Sequence, residues 1–233
     1  MKKLVFLTGA GISAESGITT FRDSGGLWEQ YPVEAVASIQ GYYRDPALVI
    51  LFYNERRRQL KTVEPNKAHQ LVAKLEKFYD VCVVTQNVDN LHERAGSHHI
   101  IHLHGELTKA TSTDNPNDPS QVITLADGKD IHIGDKAADG SQLRPFIVWF
   151  GEAVPMIELA ADAVSEADIV VVVGTSLNVY PAAGLLGYAR SNAEIYLIDP
   201  SPNNVPGYLP VHIIAKKATE GMQELYDKLA GRG

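Results

Sequence analysis

Cysteine is almost absent from this chain: Cys82 is the single one in 233 residues. A lone thiol forms no intramolecular disulfide, so nothing in the sequence asks for an oxidising compartment. No apolar run of membrane length is present either. Met1-Lys2-Lys3 precedes only four apolar residues, Leu4 to Leu7, too few for a signal-peptide core or a span. An excess of positive charge is also missing. The 21 Lys and Arg stand against 28 Asp and Glu, giving a net charge of -7 and a pI near 5.6. That balance argues against a nucleic-acid partner while leaving room for a local basic pocket. Neither repeats nor low-complexity tracts are seen. The expectation is a soluble, cytoplasmic protein without membrane or nucleic-acid partners.

What is there alternates between two patterns. Residues 4–8 are apolar at successive positions, as in a strand buried on both faces. Gly9-Ala10-Gly11-Ile12-Ser13-Ala14 follows at once and fits G-x-G-x-x-G/A. There the first glycine permits a tight turn and the second lets backbone N–H groups approach a pyrophosphate. Alone the pattern is weak, since a plain strand-to-helix turn satisfies it too. A dehydrogenase would next show a helix, a strand and a ribose-binding acid about 20 residues on. The chain instead runs Gly17-Ile18-Thr19-Thr20-Phe21-Arg22-Asp23-Ser24-Gly25-Gly26, a polar loop suited to covering a cofactor.

Further on, helices are expected at 46–60, 66–78, 156–167, 181–191 and 220–229. Strands are expected at 81–85, 100–101, 169–173, 195–198 and 211–215. Residues 108–145 turn polar and rich in glycine and proline. Within them 122–125 and 131–133 flank Asp127-Gly128, a hairpin signal. The main sheet is then expected to resume at 146–150. Strands alternating with helices at both ends of the chain predict an α/β fold with a Rossmann-like, doubly wound parallel sheet.

Chemistry concentrates between Thr85 and Glu106. Gln86, Asn87 and Asp89 follow one strand and His104 another, where ligands bind in open α/β sheets. His102 and His104 stand two apart on one strand face, so a metal pair, a hydrogen-bonded structural pair and a catalytic base all stay open. His92, His98 and His99 read as surface or capping residues.

Gly9-Ala10-Gly11-Ile12-Ser13, Phe21-Arg22, Thr85-Gln86-Asn87-Val88-Asp89, His104-Gly105-Glu106, Phe150-Gly151-Glu152 and Gly174-Thr175-Ser176, in this order, resemble the motif set of the sirtuins, NAD-consuming protein-lysine deacylases. The resemblance implies NAD as co-substrate, held by Gly9, Ala10, Gly11, Ile12, Ser13, Phe21, Arg22, Gln86, Asn87, Asp89, Gly174, Thr175, Ser176 and Ala218. It implies that His104 and Asn87 are catalytic, with His104 as the base on the ribose diol. Products would be nicotinamide, deacylated lysine and O-acyl-ADP-ribose. The acyl-lysine peptide would add as a strand between Phe150-Gly151-Glu152 and Asn178-Val179-Tyr180, with Val148 lining the acyl tunnel. Trp149 is read as core. Residues 1–30, 67–106 and 147–233 would form the NAD-binding domain. Residues 31–66 and 107–146 would form a small second domain made of two insertions.

Two features depart from the common family pattern. Tyr53-Asn54-Glu55-Arg56 resembles the Tyr-x-x-Arg pair of sirtuins that prefer succinyl, malonyl or glutaryl groups, and Ala37 matches the small residue that widens their pocket. A solvated helix face is the alternative, since Arg57 and Arg58 follow. Most sirtuins also hold a structural zinc with two Cys-x-x-Cys pairs between the His-Gly-Glu and Phe-Gly-Glu motifs. Residues 106–152 contain no cysteine, so no zinc is expected. The leading function is a desuccinylase or demalonylase with deacetylase activity also open. The alternatives are a protein mono-ADP-ribosyltransferase and a non-catalytic NAD-sensing module.

Overall fold

The computed structural model describes residues 1–18, 31–175, 180, 182–202 and 210–231. Two sheets organise them. The larger is parallel and six-stranded, built from β1 (Lys3–Thr8), β2 (Asp80–Thr85), β3 (Ile100–His102), β7 (Ile169–Val173), β8 (Glu194–Ile198) and β9 (Val211–Ile214) in the order β3-β2-β1-β7-β8-β9. The chain steps outward from β1 to β2 and β3, then returns to the other side of β1 as β7. That reversal makes the β1/β7 boundary a topological switch point. In register, Thr8 stands beside Thr85 and Val173, Thr85 beside His102, and Val173 beside Ile198. The carboxyl ends of five strands are therefore level.

Continuous apolar strands follow from coverage of both faces. Leu4, Phe6, Val83 and Val171 cluster with Leu71 and Leu75 of α5 (Lys67–Leu75) and Met222 and Leu225 of α8 (Ala218–Ala230). Val5, Leu7, Val84 and Val172 cluster instead with Ala160 and Val164 of α7 (Ile157–Glu166) and with Leu185 and Leu186. Asn66 caps α5, its side chain accepting from the Ala68 N–H at 2.9 Å. It also donates to the Ile12 carbonyl at 2.7 Å, fastening α5 to α1 (Ala10–Ala14).

The smaller sheet is antiparallel, with β5 (Ile123–Thr124) and β6 (Leu143–Ile147) on either side of β4 (Gly105–Ser112). It packs against α2 (Val33–Val36), α3 (Ile39–Arg44) and α4 (Pro46–Leu60) around Val49, Phe52, Leu107, Ile131 and Trp149. α4 has the bounds its pattern predicts, with Pro46 in the first turn and Asp45 accepting from the Leu48 N–H at 2.9 Å.

Three expectations fail. The segment at 143–147 does not resume the main sheet but pairs antiparallel with β4. Gly105 makes this possible: its φ is +82°, and a Cβ there would lie 2.1 Å from the Phe146 carbonyl oxygen. The hairpin around Asp127-Gly128 is also absent. β5 pairs with β4, residues 126–128 form a single 3-10 turn, and Ile131 exchanges two hydrogen bonds with the Asn54 side chain (2.8 and 3.0 Å) instead of joining a ladder. The expected 181–191 helix is a 3-10 segment, Ala182–Tyr188, whose Gly184 and Gly187 weaken any α-helical preference.

Candidate active site

The level strand ends floor a cavity of about 960 Å³, and the small sheet with α4 supplies its opposite wall. Gly9, Ala10, Gly11 and Ser13 enter it from β1, Gln86, Asn87 and Asp89 from β2, His104 from beyond β3, Gly174 and Thr175 from β7, and Ala218 from the start of α8. Ile12 does not line it; its side chain is fully buried in the core with Leu4 and Phe6. Phe21, Arg22 and Ser176 lie outside the described residues. The glycines also have a structural use. Gly11 donates its N–H to the Gly174 carbonyl at 2.8 Å, and a Cβ on Gly11 would meet the Gly174 Cα at 2.6 Å. Glycine is needed there so that two loops can touch across the switch point.

The floor is a closed hydrogen-bond network. The Ser13 hydroxyl donates to Asp89 Oδ2 at 2.9 Å and accepts from Asn87 Nδ2 at 3.1 Å. Asn87 Nδ2 also donates to the Gly9 carbonyl (3.1 Å), and its backbone N–H to Thr85 Oγ1 (3.0 Å). Gln86 Nε2 donates to Thr175 Oγ1 at 2.9 Å, bridging the β2 and β7 ends. Burial pushes the Asp89 carboxyl up, against the pull of the Leu91 N–H and Ser13 hydroxyl that bond it.

Behind Ser13 lies a residue the sequence reading missed. His69 Nε2 sits 3.4 Å from the Ser13 oxygen, whose proton is spent on Asp89, so the imidazole must be the donor. Burial holds His69 near pKa 4, hence neutral. Its signal was positional: three residues past the Asn66 cap, on the face of α5 that carries Leu71 and Val72. His92, expected at the surface, is instead 2% exposed, packs edge-on against His69 and shares a 3.2 Å hydrogen bond with Thr8.

His102 and His104 do not act as a pair. His104 donates Nδ1–H to the Gln86 carbonyl at 3.0 Å and lines the cavity. This tautomer leaves Nε2 with a lone pair, and burial lowers the pKa, so the ring is a neutral base near pH 7. His102 points away, bonded to the Asn87 carbonyl and to Glu93. Glu93, His102 and Glu106 have metal-ligand spacing, yet Glu93 is engaged by His102 at 2.6 Å and Glu106 by Lys109 at 2.6 Å. The cluster carries its own cations.

Ala37, Tyr53, Arg56, Val148, Phe150, Gly151 and Glu152 line the opposite wall, and Tyr180 sits at the rim, 78% exposed. Asn178 and Val179 lie outside the described residues. Tyr53 and Arg56 are buried, and even Arg57 is 1% exposed, donating to the Leu107 carbonyl, so this is not a solvated helix face. Burial pushes the Tyr53 phenol up to about 12 and lowers Arg56, whose charge Tyr53 and Asp89 favour. Glu152 is not free for a ligand: Arg144 grips both its oxygens (2.7 and 2.9 Å), and the Trp149 N–H donates to it at 2.8 Å. The Arg144 guanidinium lies 3.7 Å over the buried Trp149 ring. Phe150 spends its N–H on the Ala37 carbonyl and its carbonyl on the Ile39 N–H.

Comparison with known proteins agrees with this fold. An NAD-dependent protein deacylase of Bacteroides thetaiotaomicron is 62% identical over 226 residues, 97% of each chain. A solved Sir2 homologue in complex with NAD superposes with a TM-score of 0.88 at 39% identity, over 99% of this chain and 90% of that one. A Sir2 structure with a deacetylated p53 peptide and 3′-O-acetyl ADP ribose gives 0.81 at 31% identity, over 97% and 92%. The Sir2 family model matches residues 9–181, and the chain belongs to the Sir2 family.

Proposed function

We propose that this protein is an NAD-dependent protein-lysine deacylase with a preference for acidic acyl groups. One observation carries the reading: a neutral, cavity-lining His104 shares a single cavity with the Ser13–Asn87–Asp89 network and with buried Tyr53 and Arg56. NAD would supply an electrophilic ribose carbon and a nicotinamide leaving group. Gly9, Ala10, Gly11, Ser13, Gln86, Asn87, Asp89, Gly174, Thr175 and Ala218 would hold it, in a cavity within the usual size range for ligand sites. His104 Nε2 would take the ribose-diol proton, a step worth about 10²–10⁴ in rate. Asn87, its amide fixed by Gly9 and Ser13, orients the reacting sugar.

Peptide substrate would pair along the main chain, giving affinity without a demand for sequence. Because both polar groups of Phe150 are already used, the added strand lying between Phe150-Gly151-Glu152 and Asn178-Val179-Tyr180 would pair on the first side from Gly151 onward. The acyl chain would pass Val148 towards Ala37, Tyr53 and Arg56. A guanidinium there can hold a terminal carboxylate by two charge-assisted hydrogen bonds. Arg56→Met is expected to lower kcat/KM on succinyl-lysine peptides about 100-fold while acetyl-lysine changes less than about 3-fold. Equal losses on both would remove the carboxylate clamp. Mass spectrometry of the products separates deacylation, which yields O-acyl-ADP-ribose, from ADP-ribosylation of the target.

We further infer a zinc-free small domain, made of residues 31–66 and 107–146, and a reducing, cytoplasmic setting. The donor set does not fit a thiolate zinc site: Cys82 lies in the large sheet. In the loops around β4 and β6, Ser112 (2.5 Å) and Asn115 (2.9 Å) donate to Asp139 instead. Stoichiometric zinc in the purified protein would overturn this.

A further inference from the structure

The two histidines at the end of β3 each tie down a carbonyl of the β2 loop, His104 that of Gln86 at 3.0 Å and His102 that of Asn87 at 3.1 Å. They differ at the other nitrogen. His102 Nε2 lies 2.6 Å from Glu93 Oε1. A carbonyl and a carboxylate are both acceptors, so the ring satisfies both only by carrying a proton on each nitrogen. His104 is thus a neutral ring and His102, two residues away, an imidazolium.

The surroundings agree. Glu93 and the neutral His92 face His102 from α6 (Leu91–Ala95), Glu106 with its partner Lys109 from β4, and Asp89 from the β2 loop. Burial opposes the charge, but the Glu93 hydrogen bond and the charges of Glu93 and Glu106 outweigh it and raise the His102 pKa. The Asn87 main chain is then held in both flanking peptides, its N–H by Thr85 Oγ1 and its C=O by a cationic donor, roughly twice as strong a bond as a neutral one.

We propose that His102, paired with Glu93, is a positioning residue that clamps the Asn87 carbonyl and so fixes the Asn87 carboxamide against Gly9 and Ser13. The inference rests on the reading of Asn87 as part of the NAD site. The Glu93 partner favours the protonated ring of His102, while His104 stays free to accept a proton.

Imidazole ¹⁵N NMR of the parent protein is expected to show two N–H groups on His102 at pH 7.5; a single one would overturn the proposal. His102→Gln should lower kcat about tenfold, the loss of one such hydrogen bond, with KM for the acyl peptide unchanged within about twofold. Glu93→Gln keeps an acceptor but removes the charge. It should move the high-pH fall of kcat to lower pH and shift the Asn87 side-chain amide resonance, with Glu76→Gln as the silent control. An unmoved limb or an unmoved resonance would each refute the clamp. If His102→Gln does not fold, the parent and Glu93→Gln spectra still decide. If the parent turns over no acyl peptide, the deacylase reading fails by itself, and the Asn87 resonance still reports on the clamp.

Discussion

The two sheets bury polar side chains for opposite purposes. At the carboxyl ends of the large sheet, Ser13, Asn87 and Asp89 hold one another beside a cavity that His104, tied to the Gln86 carbonyl, also lines, and the strands below them pack in an apolar cluster. In the small layer, polar groups build the fold itself: Asn54 replaces a strand partner for Ile131, Arg57 caps the Leu107 carbonyl, and Arg144 carries Glu152 and Trp149. Chemistry and stability should therefore separate cleanly between the layers, and substitutions can test that separation.

The largest expected effect is on chemistry with little on stability. His104→Ala should cut kcat about 10³-fold while costing about 1 kcal/mol for the lost Gln86 bond. Because burial lowers the His104 pKa, the neutral base persists below the usual histidine value of about 6.5. Parent kcat/KM should stay flat from pH 8 to about 6.5, fall as pH drops further, and lose that limb in the variant. An Ala variant that retained turnover would end the division of labour between the sheets.

The opposite dissociation is expected in the small layer. Arg144 is 1% exposed at its side chain and Glu152 17%, so Arg144→Met strands a carboxylate that is largely out of water. Breaking such a pair costs about 3–5 kcal/mol, read as a lower urea midpoint. Replacing both residues, Arg144→Met with Glu152→Gln, should recover part of it, because no uncompensated charge remains. Retained stability in the single variant would mean that stacking on Trp149, which Met can imitate, matters more than the ion pair.

The same contrast explains what could be read from the sequence. β1, β2, β7 and β8 were legible because two covered faces require apolar residues at every position, and residues just past such strands are where ligands bind. β6 and the 122–133 segment were not, because side chains distant in sequence decide their pairing: Asn54 is 77 residues from Ile131. Tyr53 and Arg56 were found by their resemblance to the Tyr-x-x-Arg pair of sirtuins that prefer acidic acyl groups. Arg57 looked like surface charge, and only the packing of α4 against β4 revealed it as buried. The Glu93–His102 pair stayed hidden for the same reason, and His69 showed only its place on the apolar face of α5.

The smallest expected effect sits in the cysteine-free segment between Glu106 and Glu152. Asp139 accepts from the Ser112 hydroxyl, the Asn115 amide and the Ser141 N–H, which hold its carboxyl well below the usual carboxylate range. A folded pKa below the unfolded value of about 3.9 contributes stability that is fully present above that value and is lost as pH falls through the folded pKa. Asp139 is exposed to solvent, so screening keeps the contribution modest. Asp139→Asn should lower Tm at pH 7, and its gap to the parent should close as the pH drops below about 3.9. A gap that stayed constant with pH would assign the effect to lost packing, leaving the hub without an electrostatic part. A gap that vanished in high salt would reduce the hub to a surface ion effect, and the small layer would then rest on Arg144, Arg57 and its apolar cluster alone.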